Sequence, residues 1–211
     1  NQINEIKGVY VPFWLFSGSA DADVRLQATR TRTLTTPKEY ITHTDHFDVQ
    51  RSGSVQFDKI PSDGSSKMPD DYMDAIEPFD YSKLVPFSTA YLPGFFADKY
   101  DVTAEDCAVR AGNRARNSAA DAMASDVVGY DSAVVTHSNV TLRDTVIQYA
   151  LLPVWVLHTK YRDRDFLYTV NGQTGKMAGR LPVDKGRLVV GFACCSAVFS
   201  VLFTALAMIL L

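Results

Sequence analysis

The sequence has 211 residues, of which 46% are hydrophobic and 21% charged, a composition that excludes a wholly disordered or collagen-like chain. Its 21 basic and 24 acidic residues give a net charge of −3, so the cationic field typical of nucleic-acid-binding proteins is absent. Three cysteines are too few for a disulfide framework or a four-cysteine zinc site.

A first antiparallel β unit is predicted for residues 1–61. It begins with a continuous apolar run at 8–16, which is typical of a strand buried on both faces. Pro12 cannot donate a hydrogen bond, so it places this strand at a sheet edge or indicates a bulge. Further strands are predicted at 22–33, 40–49 and 55–60 from their alternating polarity.

A helical section is predicted for residues 62–129, because four prolines between 69 and 93 interrupt every strand-like pattern. Short helices are expected around 70–76 and 89–100. A long helix follows, with Thr103 as its N-cap, Asp106 in its first turn and a narrow apolar stripe that ends at Gly129.

A second β unit is predicted for residues 130–187, with strands at 140–156, 165–170 and 176–181. Its first strand repeats a motif of the first unit, because Pro12 and Trp14 have counterparts in Pro153 and Trp155, each flanked by apolar pairs. This internal duplication predicts two related β units with equivalent core tryptophans; the alternative is that the tryptophans form a ligand platform.

Residues 188–211 carry no charged side chain. A helix of 24 residues would be about 36 Å long, enough to cross a hydrocarbon core of about 30 Å, so a transmembrane helix in contact with membrane lipid is predicted. Basic residues just before it place the preceding domain on the cytoplasmic side; they are Lys176, Arg180, Lys185 and Arg187.

A small, weakly polar stripe runs along that predicted helix at Ser196, Ser200 and Thr204. Residues four apart share one face, so this stripe is expected to pack against another helix, either of a protein partner or of a second copy. The alternative is that the hydroxyl groups bond back to their own backbone and contribute nothing to packing.

Four stretches of the sequence resemble an uncharacterised bacterial family whose members carry N-terminal zinc ribbons, then this domain, then membrane helices. They are Glu5–Phe16, Leu152–Leu157, Val170–Lys176 and Leu181–Lys185. This chain lacks the ribbon cysteines and a phosphate-binding loop, so neither zinc binding nor helicase activity carries over, and the resemblance implies zinc only in an N-terminal part absent from the chain. Separately, Asp165–Lys176 is similar to a hairpin of PepSY-type inhibitory domains.

Candidate chemistry is sparse. His43, Asp45 and His46 form the only close cluster of possible metal ligands, but on a strand His46 points away from the other two, so no metal site is expected. His137 and His158 stand alone, without a nucleophile adjacent in the sequence. No catalytic, cofactor-binding or metal-binding residue is therefore predicted.

Clusters of like charge leave several interpretations open. Acidic side chains at 70, 71, 74, 77 and 80 could form a cation site, an acidic docking surface or a solvated helix face. Arginines at 110, 114 and 116, and at 25, 30 and 32, could contact phosphate or lipid headgroups, although nearby aspartates dilute both fields.

Together these observations predict an α+β chain with two related antiparallel β units flanking a helical section, followed by a membrane helix. The functional hypothesis is a membrane-anchored, non-catalytic interaction or scaffold module that binds a protein partner. The alternative hypothesis is a nucleic-acid-associated protein that acts through a zinc ribbon outside this chain, since no direct nucleic-acid binding is expected from the chain itself.

Overall fold

The computed structural model describes residues 2–161, 164–181 and 184–210. Its strands are β1 (Gln2–Thr35), β2 (Tyr40–Asp63), β3 (Phe96–Ala97), β4 (Ser132–Tyr161), β5 (Arg164–Asn171) and β6 (Met177–Gly179). Its α-helices are α1 (Asp70–Ala75), α2 (Ala104–Ser125) and α3 (Lys185–Leu210), and two 3₁₀ turns lie at Tyr81–Lys83 and Thr89–Tyr91.

The strands form one sheet rather than two β units. Its order is β2-β1-β4-β5-β6 with antiparallel pairing throughout, and the short β3 pairs in parallel with β1. β1 and β4 pair from Gln2 opposite Lys160 to Thr29 opposite Ser132, so the two tryptophan-containing motifs lie on adjacent strands. The predicted division into two flanking β units is therefore wrong, because β1 and β4, which carry the two motifs, pair with each other in a single sheet.

The two faces of this sheet are covered by different segments. Even-numbered residues of β1 between Trp14 and Leu26 face α2, whose small residues Ala111 and Ala119 allow close approach. On the opposite face, Phe13 packs with Leu152 beneath the segment that contains α1. The core therefore consists of two layers separated by the central strand β1.

At one level of the sheet the register changes on both sides of β1. The pairings of β1 with both of its neighbours shift around Gly18, and Lys59 of β2 and Asp144 of β4 adopt positive φ angles of 54° and 51°. A Cβ at Gly18 would lie 2.8 Å from the carbonyl oxygen of Arg143, so glycine permits this close approach. This level separates the hydrophobic cluster beside α1 from the cluster beneath the end of α2.

The charge clusters left open by the sequence are largely paired with one another. Arg114 of α2 contacts both Glu77 carboxylate oxygens, at 3.0 and 2.5 Å, and donates to the Pro61 carbonyl at 2.8 Å. Arg110 contacts Asp63 and, at 2.5 Å, Asp70. These arginines therefore connect α2 on one face to the acidic segment on the other, past the end of β2.

Asp63 gives this network a pH dependence. Burial raises the pKa of its carboxyl group above the ordinary value, against the opposing effect of Arg110. Because the folded state then binds the proton more tightly than the unfolded state, the contribution of Asp63 to stability rises as pH falls through its folded pKa towards the unfolded value. We expect the native protein to become more stable relative to the Asp63→Asn variant as pH falls from 7 to 4. Urea denaturation of both proteins over this pH range measures the difference in their unfolding free energies. A constant difference would contradict this expectation.

The C-terminal helix does not support the predicted membrane anchor. Within the part of the chain that the structure describes, no helix is long and apolar enough to cross a membrane. The prediction rested on the 24 residues 188–211, none of which is charged. This finding contradicts the transmembrane helix predicted at 188–211. The predicted membrane localisation and cytoplasmic orientation depended on that helix and are therefore not supported either.

Candidate functional site

One edge of the sheet is open beside the middle of β4. β5 pairs with β4 only from Val154 onwards, and the last contact is a hydrogen bond of 2.8 Å from Gly172 N to the Pro153 carbonyl oxygen. A Cβ at Gly172 would lie 2.8 Å from that same oxygen, so the chain can approach Pro153 this closely only with glycine. β4 residues before Pro153 therefore have β1 on one side and no strand on the other within the described residues.

The open edge presents backbone groups that can form hydrogen bonds. Because the Pro153 carbonyl points away from β1, the N–H and C=O groups of Leu151 and Tyr149 point the same way. The pairing with β1 supports this orientation. Pro12 lies opposite Leu151, and its carbonyl accepts from Gly64 N on the side of β1 away from β4. In an antiparallel ladder the backbone groups of two opposite residues point either towards each other or away from each other, so those of Leu151 point outward. Among the described residues, no partner is found for the outward groups of Leu151 and Tyr149.

A groove of about 900 Å³ lies along this edge. One wall is β4 from Gln148 to Pro153, and the other is formed by parts of residues 83–99, which we name the strap. Four aromatic side chains line the groove: Tyr10, Phe87, Tyr91 and Tyr149. Phe87 and Tyr91 are 63% and 51% exposed, so the strap presents apolar surface that the rest of the described chain leaves uncovered.

The first end of the strap is held by the turn after β5. Asn171 is buried, and its Nδ2 donates to the carbonyl oxygens of Ile76 at 2.9 Å and Pro78 at 3.1 Å. Its Oδ1 accepts from the backbone N–H groups of Gln173 at 2.8 Å and Thr174 at 3.0 Å. One side chain thus fixes both the turn and the segment that leads into the strap.

The second end of the strap is held by aromatic packing and by ion pairs. Tyr100, just after the strap, packs edge-to-face on Trp14 with ring centroids 5.2 Å apart, and it also contacts Tyr149. The Trp14 indole N–H donates to the Val102 carbonyl at 3.1 Å. Asp98 accepts from Lys67 Nζ at 2.5 Å. The groove is therefore bounded by anchored segments on both sides.

The charges that line the groove differ in how they are paired. Lys83 Nζ lies 3.0 Å from Asp80 Oδ2, and Asp98 is paired with Lys67. Lys99 has no acidic partner among the described residues; its ammonium lies 6.0 Å from the centre of the Tyr100 ring. Burial, with the neighbouring Tyr100 and Asp98, raises the pKa of Tyr149, so its hydroxyl stays neutral at physiological pH.

The duplicated core motif borders this site. Trp14 pairs with Tyr149 across the β1–β4 ladder, and Trp155 pairs with Gly8, so both tryptophans lie on the same face of one sheet. Trp14 is half-buried, whereas Trp155 is 39% exposed and packs on Phe95 with ring centroids 5.2 Å apart. Pro12 is buried, and Pro153 marks the closed end of the groove.

The other sequence candidates do not converge on the groove. His43, Asp45 and His46 lie exposed on the β1–β2 hairpin, where Asp45 pairs with Arg32 at 3.5 Å. His137 and His158 are exposed on β4. No group of three or more potential metal ligands occurs among the described residues.

The predicted helix-packing stripe is described only in part. Ser196 and Ser200 are exposed on α3, and the side chain of Thr204 lies outside the described residues. The structure therefore brings no second helix against the described part of this stripe.

Comparisons with known proteins give one similar sequence. The chain is 34% identical over 193 residues to the uncharacterized protein YdjG of Bacillus subtilis (strain 168). The match covers 92% of this chain but only 57% of the relative's length. No family model matches the sequence, and no solved structure matches it. The predicted membership of a zinc-ribbon membrane family is not supported. The relative is named only as an uncharacterized protein, and the described residues include neither a group of metal ligands nor a helix that could span a membrane.

Proposed function

We propose that this chain is a non-catalytic protein-interaction module that binds an extended peptide in the groove, as an added strand beside β4. The observation that carries the proposal is the pair of outward backbone groups at Leu151 and Tyr149 on the groove wall. An edge that offers alternate N–H and C=O groups next to apolar side-chain pockets is the arrangement used for strand addition, in which the main chain supplies affinity and the pockets supply specificity.

The strap favours a single peptide strand over a second copy of this domain as the occupant. An exposed edge can pair with the edge of another sheet, but the segment from Lys83 to Tyr91 occupies the opposite wall of the groove. A second copy would need to bring its own strap into the same space. An isolated extended segment brings no strap of its own.

The nucleic-acid alternative gains no support from the described surface. Arg110 and Arg114 are engaged by carboxylates, and Arg30 donates to the Gly129 carbonyl at 2.6 Å while contacting the rings of Phe47 and Tyr130. Phosphate binding requires cations that can exchange counterions for the ligand. Engaged arginines on a chain of net charge −3 provide few of these.

The test is a selection of random twelve-residue peptides by phage display on the full chain, followed by fluorescence anisotropy with the enriched peptides. Leu151→Pro removes the outward N–H without removing a β1–β4 hydrogen bond, because Leu151 already directs its backbone groups away from β1. We expect this variant to bind about ten-fold more weakly than Leu151→Ala, since the one main-chain hydrogen bond that the Leu151 N–H would donate to the peptide is lost.

Leu151→Ala is the matched control, because it shortens the same side chain and keeps the N–H group. Thermal unfolding of both variants checks that the sheet persists. Failure to enrich any peptide, or equal affinity of the proline and alanine variants for an enriched peptide, would contradict the proposal.

A further inference from the structure

We infer, on the basis of the proposed function, that the bound peptide carries a carboxylate two residues from a large apolar side chain. Two features of the groove support this inference: the charge that the groove leaves unpaired and the face of the sheet towards which that charge lies.

The unpaired charge belongs to Lys99. Lys83 is neutralised by Asp80, and the one acidic residue that lines the groove, Asp98, is neutralised by Lys67 and also accepts from Ser65 Oγ at 3.1 Å. The groove therefore presents one ammonium group without an internal counter-ion among the described residues. A ligand that places a carboxylate there gains a complementary charge, whereas a ligand that places an ammonium there is repelled.

The position of Lys99 relative to β4 sets the spacing within the peptide. Lys99 adjoins Tyr100, whose ring packs on Trp14 and Tyr149, so it lies on the face of the sheet towards which Tyr149 and Leu151 also point. Side chains on one face of an added strand are two residues apart. Lys99 faces the Tyr100 ring, which packs on Tyr149, and Tyr149 is two residues from Leu151 on β4. A carboxylate beside Lys99 and an apolar side chain beside Leu151 would therefore have the spacing acidic–x–apolar, in one chain direction or the other.

The apolar half of this motif follows from the lining of the groove. Tyr10, Leu151 and Pro153 line it together with Phe87 and Tyr91 of the strap. A large aliphatic or aromatic side chain buries more of this apolar surface than a polar one does. The partner class is therefore an acidic, apolar-rich extended segment.

The test uses the peptides selected on the native chain, without any bias in the library. We expect enriched sequences to share the acidic–x–apolar spacing. Lys99→Glu should weaken the binding of such a peptide by about five-fold at low salt, the range of a partly exposed ion pair, and a peptide in which the acid is replaced by lysine should recover binding to that variant. Lys38→Glu, at the exposed tip of the β1–β2 hairpin, is the control with the same change of charge.

Two further arms identify the source of the carboxylate. Replacing the peptide's Asp or Glu by Asn or Gln removes a side-chain carboxylate, and amidating the peptide removes its terminal carboxylate. We expect only the first change to weaken binding. A loss on amidation alone, or equal effects of Lys99→Glu and Lys38→Glu, would overturn the inference while leaving strand addition intact. Absence of any bound peptide would instead overturn the proposed function.

Discussion

Replacing Asn171 with leucine is expected to lower the free energy of unfolding by about 3–5 kcal/mol. Leucine has the same number and branching of side-chain heavy atoms, so the change leaves no cavity, but it removes four hydrogen bonds at a residue that is 1% exposed. The Ile76 and Pro78 carbonyl groups and two backbone N–H groups of the turn then lose their partners. Each buried polar group left unpaired costs about 1 kcal/mol or more.

Urea denaturation followed by circular dichroism measures this loss. Gln173→Ala is the control within the same turn, because Gln173 is exposed and its Oε1 accepts one bond of 2.7 Å from Asp80 N. It should cost at most about 1 kcal/mol. Equal losses for the two variants would show that Asn171 does not anchor the start of the strap.

The two tryptophans are expected to differ in their contributions to stability, although their motifs match. Trp14→Ala should cost about 3–5 kcal/mol, because the ring packs on Tyr100 and Tyr149 and its N–H is bonded to the Val102 carbonyl. Trp155→Ala should cost only about 1 kcal/mol, because the residue is 39% exposed and, among the described residues, its indole N–H has no hydrogen-bond acceptor.

Unfolding free energies of the two alanine variants test this difference directly. The single-tryptophan variants Trp14→Phe and Trp155→Phe allow each indole to be probed separately by acrylamide quenching. We expect Trp155 to be quenched more strongly than Trp14. Equal stability losses and equal quenching would instead indicate that the motifs occupy equivalent environments, as the sequence alone suggests.

Local signals predicted several elements correctly. The long helix begins after Thr103, whose side chain accepts from Asp106 N at 3.3 Å, which confirms the predicted N-cap. The strand predicted at 165–170 lies within β5. These predictions depend on capping groups and alternating polarity, which act over a few residues and can be seen in one sequence.

The length of β1 could not be predicted in the same way. Residues 17–23 contain serine, glycine and aspartate, all disfavoured in strands, so the pattern indicates a break between two strands. In the structure, β2 and β4 pair on both sides of this stretch and hold it extended. Ladder pairing and packing beneath α2 therefore outweigh the local preference.

The groove depends on where distant segments end, which a single sequence does not reveal. Pro153 was visible as a proline within a strand, but its place at the end of the β4–β5 ladder depends on Gly172. The strap carries two prolines and no strong periodicity, so its position beside β4 had no signal in the sequence. The residues on which the proposed function and the further inference depend, Leu151, Tyr149 and Lys99, are ordinary in type and special only in placement.

The continuity of β1 also sets a distance scale. Pro12 lies opposite Leu151 at the groove, and the strand continues without interruption to Thr35 at the tip of the hairpin. At about 3.3 Å per residue this separates the groove from the tip by about 75 Å along the strand. A partner that engaged both places at once would need to reach over that length of strand. A hydrogen-bonded sheet keeps its length, whereas a flexible linker is on average much shorter than its full extension.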